Sequence, residues 1–257
     1  MRRGGRMLKR WYYVGAFADE FLLCCARVQV GPLGQTFWAI VDREAGELHE
    51  HTRLRLPGAR GEVWPEDEKV RLMRHDVRAD LEFGGGDGVE SICPTDEGEY
   101  TWTRKRADVP VRCDVRVPGK RWRVEARGVE DDSAGYHPRH TVWSWSAGVG
   151  GTRDGRSVGW NLVSGINDPP ERSERTIWVD GEPSEPGPVS FDGLDAIDFG
   201  DGSRLDFSAE AERERSGSLL LIRYTYRQPF GSFSGALAGG VELERGLGVM
   251  EHHDATW

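Results

Sequence analysis

The sequence predicts an all-β protein made of two antiparallel β-barrels packed together, and three observations carry that prediction. Asp-Gly occurs five times, at Asp87-Gly88, Asp154-Gly155, Asp180-Gly181, Asp192-Gly193 and Asp201-Gly202, and this pair suits the positive φ of two-residue hairpin turns. The runs beside these turns have strand length, are rich in β-branched and aromatic residues, and often alternate polar with apolar side chains. Helical periodicity is nearly absent. The one helical candidate, 209–216 (AEAERERS), lacks an apolar stripe and reads as a charged strand end and loop. So many strands leave many edges, which closure of each sheet into a barrel removes.

Taken in order, 11–17 is an aromatic run, and 22–30 and 36–43 are apolar, strand-length runs. Further strands are expected at 77–83, 100–106, 112–117 and 121–126, with 84–88 (GGGDG) as a hairpin turn. The acidic run Glu130, Asp131, Asp132 then meets Ser133, Gly135 and Pro138. This places a boundary between an N-terminal barrel domain, 1–130, and a C-terminal one, 131–257. In the latter, strands are expected at 141–146, 157–163, 175–179, 203–209, 219–228 and 248–253, with 148–151 (GVGG) in a hairpin turn and 181–188 as a Pro-rich loop.

Of the 257 residues only 37% are hydrophobic, but 10 Trp, 9 Phe and 6 Tyr supply bulky core anchors. No run approaches the roughly 18 apolar residues of a membrane helix, which excludes an integral membrane protein of that kind. The net charge is −9, and five bases lie within the first ten residues, leaving 29 bases against 43 acids in the rest. Such a body repels phosphate backbones, so nucleic acid is not an expected partner. The basic start lacks the apolar core and cleavage site of a signal peptide, and a cytoplasmic protein is expected. The four cysteines form no CxxC pair. Cys24 and Cys25, adjacent on a strand, would face opposite ways, and all four read as buried free thiols.

One constellation could carry binding. In 136–145 (YHPRHTVWSW), Arg139, Thr141, Trp143 and Trp145 would share one strand face, and His140, Val142 and Ser144 the other. A hairpin would set this strand beside Trp160 and Asn161. Trp143, Trp145 and Trp160 with Arg139, His140 and Asn161 are thus candidate ligand-binding residues, an apolar wall with few polar groups. Plain core packing would explain the three Trp equally well.

Candidate acids come from two further stretches. In 165–174 (GINDPPERSE), Asn167 and Asp168 suit a tight turn before two prolines, while Asp168, Glu171 or Glu174 could sit at a barrel mouth with raised proton affinity. At the C-terminus (GVMEHHDATW), Val249, Glu251 and His253 share a face, with Met250, His252 and Asp254 on the other. Asp168, Glu174, Glu251 and His252 are the candidate catalytic residues. No metal signature, phosphate loop or nucleophile motif is present, so neither a metal nor another cofactor is expected.

The segments KRWYYVGAF (9–17), VGPLGQTFWAIVDRE (30–44), GRSVGWNLVSGINDPPERSE (155–174), IWVDGE (177–182), FGSFSGALAGG (230–240) and GVMEHHDATW (248–257) span nearly the whole chain. In that order they resemble the DUF2804 family of bacterial proteins. The resemblance implies kinship with the calycin-like group of carotenoid 1,2-hydratase, AttH-like proteins, tocopherol cyclase and lipocalin-type Diels-Alderases. It therefore implies two lipocalin-like barrels with a pocket in or between them, and apolar ligands. Several of those relatives hydrate or cyclise without a cofactor, but the resemblance carries no catalytic residue onto a position here.

Three functional expectations follow: a binder of an apolar small molecule such as a lipid, isoprenoid or polyketide-like compound; a cofactor-independent hydratase or cyclase acting on a polyene; and a structural or interaction module with filled barrels. A cavity separates the third from the other two.

Overall fold

The computed structural model describes residues 2–3, 5–55, 61–95, 98–219 and 222–256. Its strands are β1 (Arg2–Arg3), β2 (Arg6–Met7), β3 (Lys9–Phe17), β4 (Phe21–Val30), β5 (Leu33–Asp42), β6 (Glu47–Arg55), β7 (Val63–Glu66), β8 (Lys69–Arg74), β9 (Val77–Phe83), β10 (Val89–Pro94), β11 (Tyr100–Val117) and β12 (Lys120–Gly135). Then follow β13 (His140–Thr152), β14 (Ser157–Ser164), β15 (Thr176–Val179), β16 (Glu182–Ser184), β17 (Val189–Asp192), β18 (Ala196–Phe199), β19 (Arg204–Leu219), β20 (Ile222–Leu237) and β21 (Val241–Thr256).

Strands β1 and β2 form a separate hairpin. One large sheet runs β6-β5-β4-β3-β12-β11-β9-β8-β7, with β10 also on β11, and the other runs β16-β15-β14-β13-β21-β20-β19-β18-β17. The chain passes from the first sheet to the second between Gly135 and His140. Both sheets curl: β7 returns against β4 and β5, and β17 against β14. The architecture is thus all-β, two curled antiparallel sheets packed together. Among the described residues, no helix is long and apolar enough to cross a membrane.

Several strands run further than local patterning predicts. Residues 100–117 form one strand because a bulge between Ala107 and Val109 absorbs the break, with Asp108 at φ 62°. Likewise 209–216 is not a loop but the middle of β19, carried through a bulge between Ala209 and Ala211. Its charges suit one solvated face, while Arg213 turns inward and is buried.

The stretch 84–88 is no hairpin turn. It joins β9 to β10, which pair with different stretches of the same strand, Val111–Arg116 and Tyr100–Lys105 of β11. Nor is 148–151 a turn: it lies within β13, between β14 and β21. The other four Asp-Gly pairs lie at hairpin connections, as at Asp180 and Gly181, whose φ values of 50° and 82° link β15 to β16.

Alternation along the strands builds three cores instead of two. Val14, Cys25, Trp38, Leu81 and Val111 fill the concave side of the first sheet, and Val158, Trp160, Leu162, Ile197 and Phe233 that of the second. A third core, including Phe17, Leu22, Cys24, Val129, Ala147 and Val249, joins the two sheets. Cys24 and Cys25 therefore face different cores, and all four cysteines are buried free thiols. At the rim, Arg43 donates to both oxygens of Glu210 (2.7 and 2.8 Å) and Arg245 to Asp19 (2.6 Å), tying sheet to sheet.

Candidate functional site

The layer shared by the two sheets is not filled. It holds a cavity of about 290 Å³, walled by β3, β4, β5, β6, β11 and β12 on one side and by β13, β14, β19, β20 and β21 on the other. Most of its wall is apolar or aromatic, including Tyr13, Val28, Phe37, Trp143, Trp145, Val163 and Tyr226. Its polar groups gather in two places.

The first is Glu251. Trp145 pairs with Glu251 across β13 and β21, and Trp143 with His253. Period-two alternation therefore puts both Trp, Glu251 and His253 on the inter-sheet face. Trp143 Nε1–H donates to Glu251 Oε1 at 3.0 Å, and Gln228 Nε2–H donates to Oε2 at 2.9 Å. The Cys24 thiol, donating to Gln228 Oε1 at 3.6 Å, fixes which end of that amide meets the carboxyl. Burial pushes the Glu251 carboxyl up to about 7, helped by the Asp131 charge and opposed by the Trp143 hydrogen bond.

Aromatic faces surround this carboxyl. His253 lies 4.1 Å from Trp143 and 5.3 Å from Tyr226, centroid to centroid, and Tyr13 meets Trp145 edge-on at 5.2 Å. Arg213 stacks over Phe37 at 4.2 Å and donates to Thr52 at 2.6 Å. Burial holds His253 neutral, down at about 3, and raises the Tyr13 and Tyr226 phenols well above their ordinary range. The Tyr226 hydroxyl lies within reach of Glu251 and Arg213, and the Tyr13 hydroxyl beside the Cys24 thiol.

The second polar place is built on Lys105. Its ammonium reaches Asp131 Oδ1 (2.6 Å), Glu174 Oε2 (3.3 Å) and Ser133 Oγ (3.4 Å). Asn167, at φ 50° in the turn after β14, donates Nδ2–H to Glu174 Oε2 at 3.0 Å. Burial works against the Lys105 charge, but Asp131 and Glu174 outweigh it and the group stays cationic. Glu174 is pushed up to about 6 by burial, against the pull of Lys105. His137, at the same end, is held down at about 3 by burial and by the Lys9 and Lys105 charges.

Of the candidate residues, Trp143, Trp145, Glu174 and Glu251 come together on the cavity wall. Asn161 stands behind it, accepting from Trp145 Nε1 at 2.9 Å and donating to the Glu174 carbonyl at 2.8 Å. Trp160 is on the opposite face of β14, in the concave core of the second sheet, where its Nε1–H meets Ser146 Oγ at 3.1 Å. Arg139 is exposed just before β13 begins, and His140 is exposed beside Asp254 (2.8 Å), on the face turned from the cavity. His252 shares that outer face, 3.2 Å from Ser144 Oγ. Asp168 closes the turn, its carboxylate accepting the Gly165 N–H at 2.8 Å while its carbonyl accepts from buried Arg175.

The residues that sequence reading passed over are Tyr13, Lys105, His137, Arg213, Tyr226 and Gln228. Lys105 sits in a charged stretch, TRKRAD, at the end of the strand expected at 100–106. A usable signal lies in the alternation of Thr101, Thr103 and Lys105 against Trp102 and Arg104, which puts the Lys on the inner face. Among the described residues, no three His, Cys, Asp or Glu side chains are arranged to hold a metal ion.

No curated protein matches the chain. Among solved structures, kievitone hydratase from Nectria haematococca is 13% identical with a TM-score of 0.55, over 97% of this chain and 88% of that one. An AttH-type protein from Nitrosomonas europaea is 12% identical with a TM-score of 0.44, over 98% and 93%. CghA in complex with Sch210972 is 10% identical, TM-score 0.44, over 98% and 88%. The likeness to the hydratase structure shows a common fold. The family model described as "Domain of unknown function (DUF2804)" matches residues 65–257, which include both polar groups of the cavity, and the chain belongs to that family.

Proposed function

We propose that the inter-sheet cavity binds an apolar small molecule and that Glu251 delivers a proton to it, the chemistry of a cofactor-independent hydratase or cyclase. The observation that carries this reading is the placement of Glu251: a buried carboxyl on an aromatic wall, held by Trp143 and Gln228. With its proton affinity raised to about 7, the carboxyl retains a proton near neutrality. Protonating an alkene creates a carbocation, which the faces of Trp143, Trp145, Tyr13 and Tyr226 would stabilise. The cavity volume is close to the lower end of the roughly 300–1,000 Å³ typical of ligand pockets. The fold shared with a protein named a hydratase agrees with the reading.

Asp168 and His252 have no part in this chemistry, since neither lines the cavity. Trp143 and Trp145 are the reporters. Titration with isoprenoids, fatty acids and polyketide-like compounds should quench Trp fluorescence saturably for at least one class. For a substrate found that way, Glu251→Gln should lower turnover about 100-fold or more while leaving affinity within a few-fold. Turnover in the wild type should fall above about pH 7, as Glu251 gives up its proton. Saturable binding with unchanged turnover in Glu251→Gln would remove Glu251 from the chemistry, and no quenching by any class would remove the binding site.

A further inference from the structure

The Lys105 end of the cavity constrains what the ligand carries. The ammonium has three N–H groups, and Asp131, Glu174 and Ser133 take them, so no donor is left for a ligand carboxylate. Two carboxyls share this single cation, which leaves the cluster one negative charge in excess or one proton to hold. Lys105 and Asn167 both reach Glu174 through Oε2. Glu174 is only 4% exposed, and both of these contacts fall on one oxygen of its carboxyl, which leaves Oε1 to face the cavity. Independently, His137 Nε2 is buried without a hydrogen-bond partner among the described residues, on a ring that also lines the cavity.

Polar atoms left unpaired against an apolar wall favour a ligand that answers them. A hydrocarbon would answer neither Glu174 Oε1 nor His137 Nε2, and an ether lacks the proton that a carboxylate oxygen requires. A carboxylic acid would bring a second unpaired negative charge. A hydroxyl is donor and acceptor in one group, and it suits a carboxylate and an imidazole together. We infer that the Glu174 end of the cavity recognises a hydroxyl, so that the ligand is an apolar alcohol or phenol. This rests on the reading of the cavity as a binding site and adds the substrate class to it. Glu174 would touch the ligand's hydroxyl, and Glu251 the bond that is protonated.

Four probes of matched skeleton separate the possibilities: geraniol, geranyl methyl ether, geranic acid and the hydrocarbon myrcene. Each is titrated at pH 8 against the wild type and Glu174→Gln, following Trp fluorescence. Geraniol should bind the wild type at least tenfold more tightly than the ether or the acid. Glu174→Gln replaces the acceptor at Oε1 with a donor, so geraniol and the ether should come within about twofold of each other. Myrcene affinity should be unchanged, which also reports that the variant is folded. Equal binding of geraniol and its ether by the wild type, with myrcene bound, overturns the hydroxyl assignment and leaves the cavity reading standing. The same holds if discrimination survives in Glu174→Gln. Failure of all four probes to bind the wild type overturns the cavity reading itself.

Discussion

Glu251 makes the folded state answer to pH. Its carboxyl has an ordinary value of 4.5 and is pushed to about 7 by burial. Below the lower value folded and unfolded chains both hold the proton, and between the two values only the folded chain does. Stability therefore falls as pH rises through that window, by about 3 kcal/mol in full from this group. Glu174, raised to about 6, acts in the same direction. Glu251→Gln removes an acceptor for Trp143 or Gln228 and should destabilise by about 1–3 kcal/mol at pH 5. That deficit should shrink or reverse by pH 8, since the variant has no buried charge to form. Urea unfolding at both pH values checks this, and a deficit that stays constant would mean that Glu251 does not titrate in the folded protein with a raised value.

At the scale of elements, β13 is paired on both edges, and around Gly148 it is covered on both faces as well. Gly148 pairs with Trp160 on β14 and with Gly248 on β21. A methyl group there would overlap the Trp160 ring and approach the Leu247 carbonyl at 2.7 Å. Gly148→Ala should destabilise by about 1–3 kcal/mol in urea unfolding. Gly151→Ala, whose nearest neighbour would be the Arg156 carbonyl at 3.8 Å, should change stability by less than about 1 kcal/mol. Equal effects would mean that the strand relaxes around the added methyl.

The same element shows what the sequence made legible. Period-two alternation put Trp143 with Trp145, and Glu251 with His253, on common faces, and the structure has them so. Alternation says nothing of which face meets which core, because β14 is apolar on both sides. Trp160 is consequently indistinguishable in sequence from Trp145, although it packs on Phe233 in the second concave core. Lys105, Asp131 and Glu174 come from β11, β12 and the segment before β15, and no local pattern links residues so far apart. The long strands were hidden by their bulges, at Asp108 and Glu210, which read as ends.

At the scale of the molecule, the two concave cores hold each sheet and the third joins them. The cavity belongs to that joining layer. Tyr13, Lys105 and Asp131 come from the first sheet, and Trp143, Tyr226 and Glu251 from the second. Neither sheet alone supplies the aromatic wall together with both polar groups. The central claim is that a small apolar molecule occupies this joint space. Native mass spectrometry tests it most directly, on protein purified from its own source and compared with Val163→Trp, in which a bulky side chain enters the cavity from β14. The account predicts one equivalent of an apolar compound on the wild type and none on the filled variant. An equal load on both, or none on either, would contradict it.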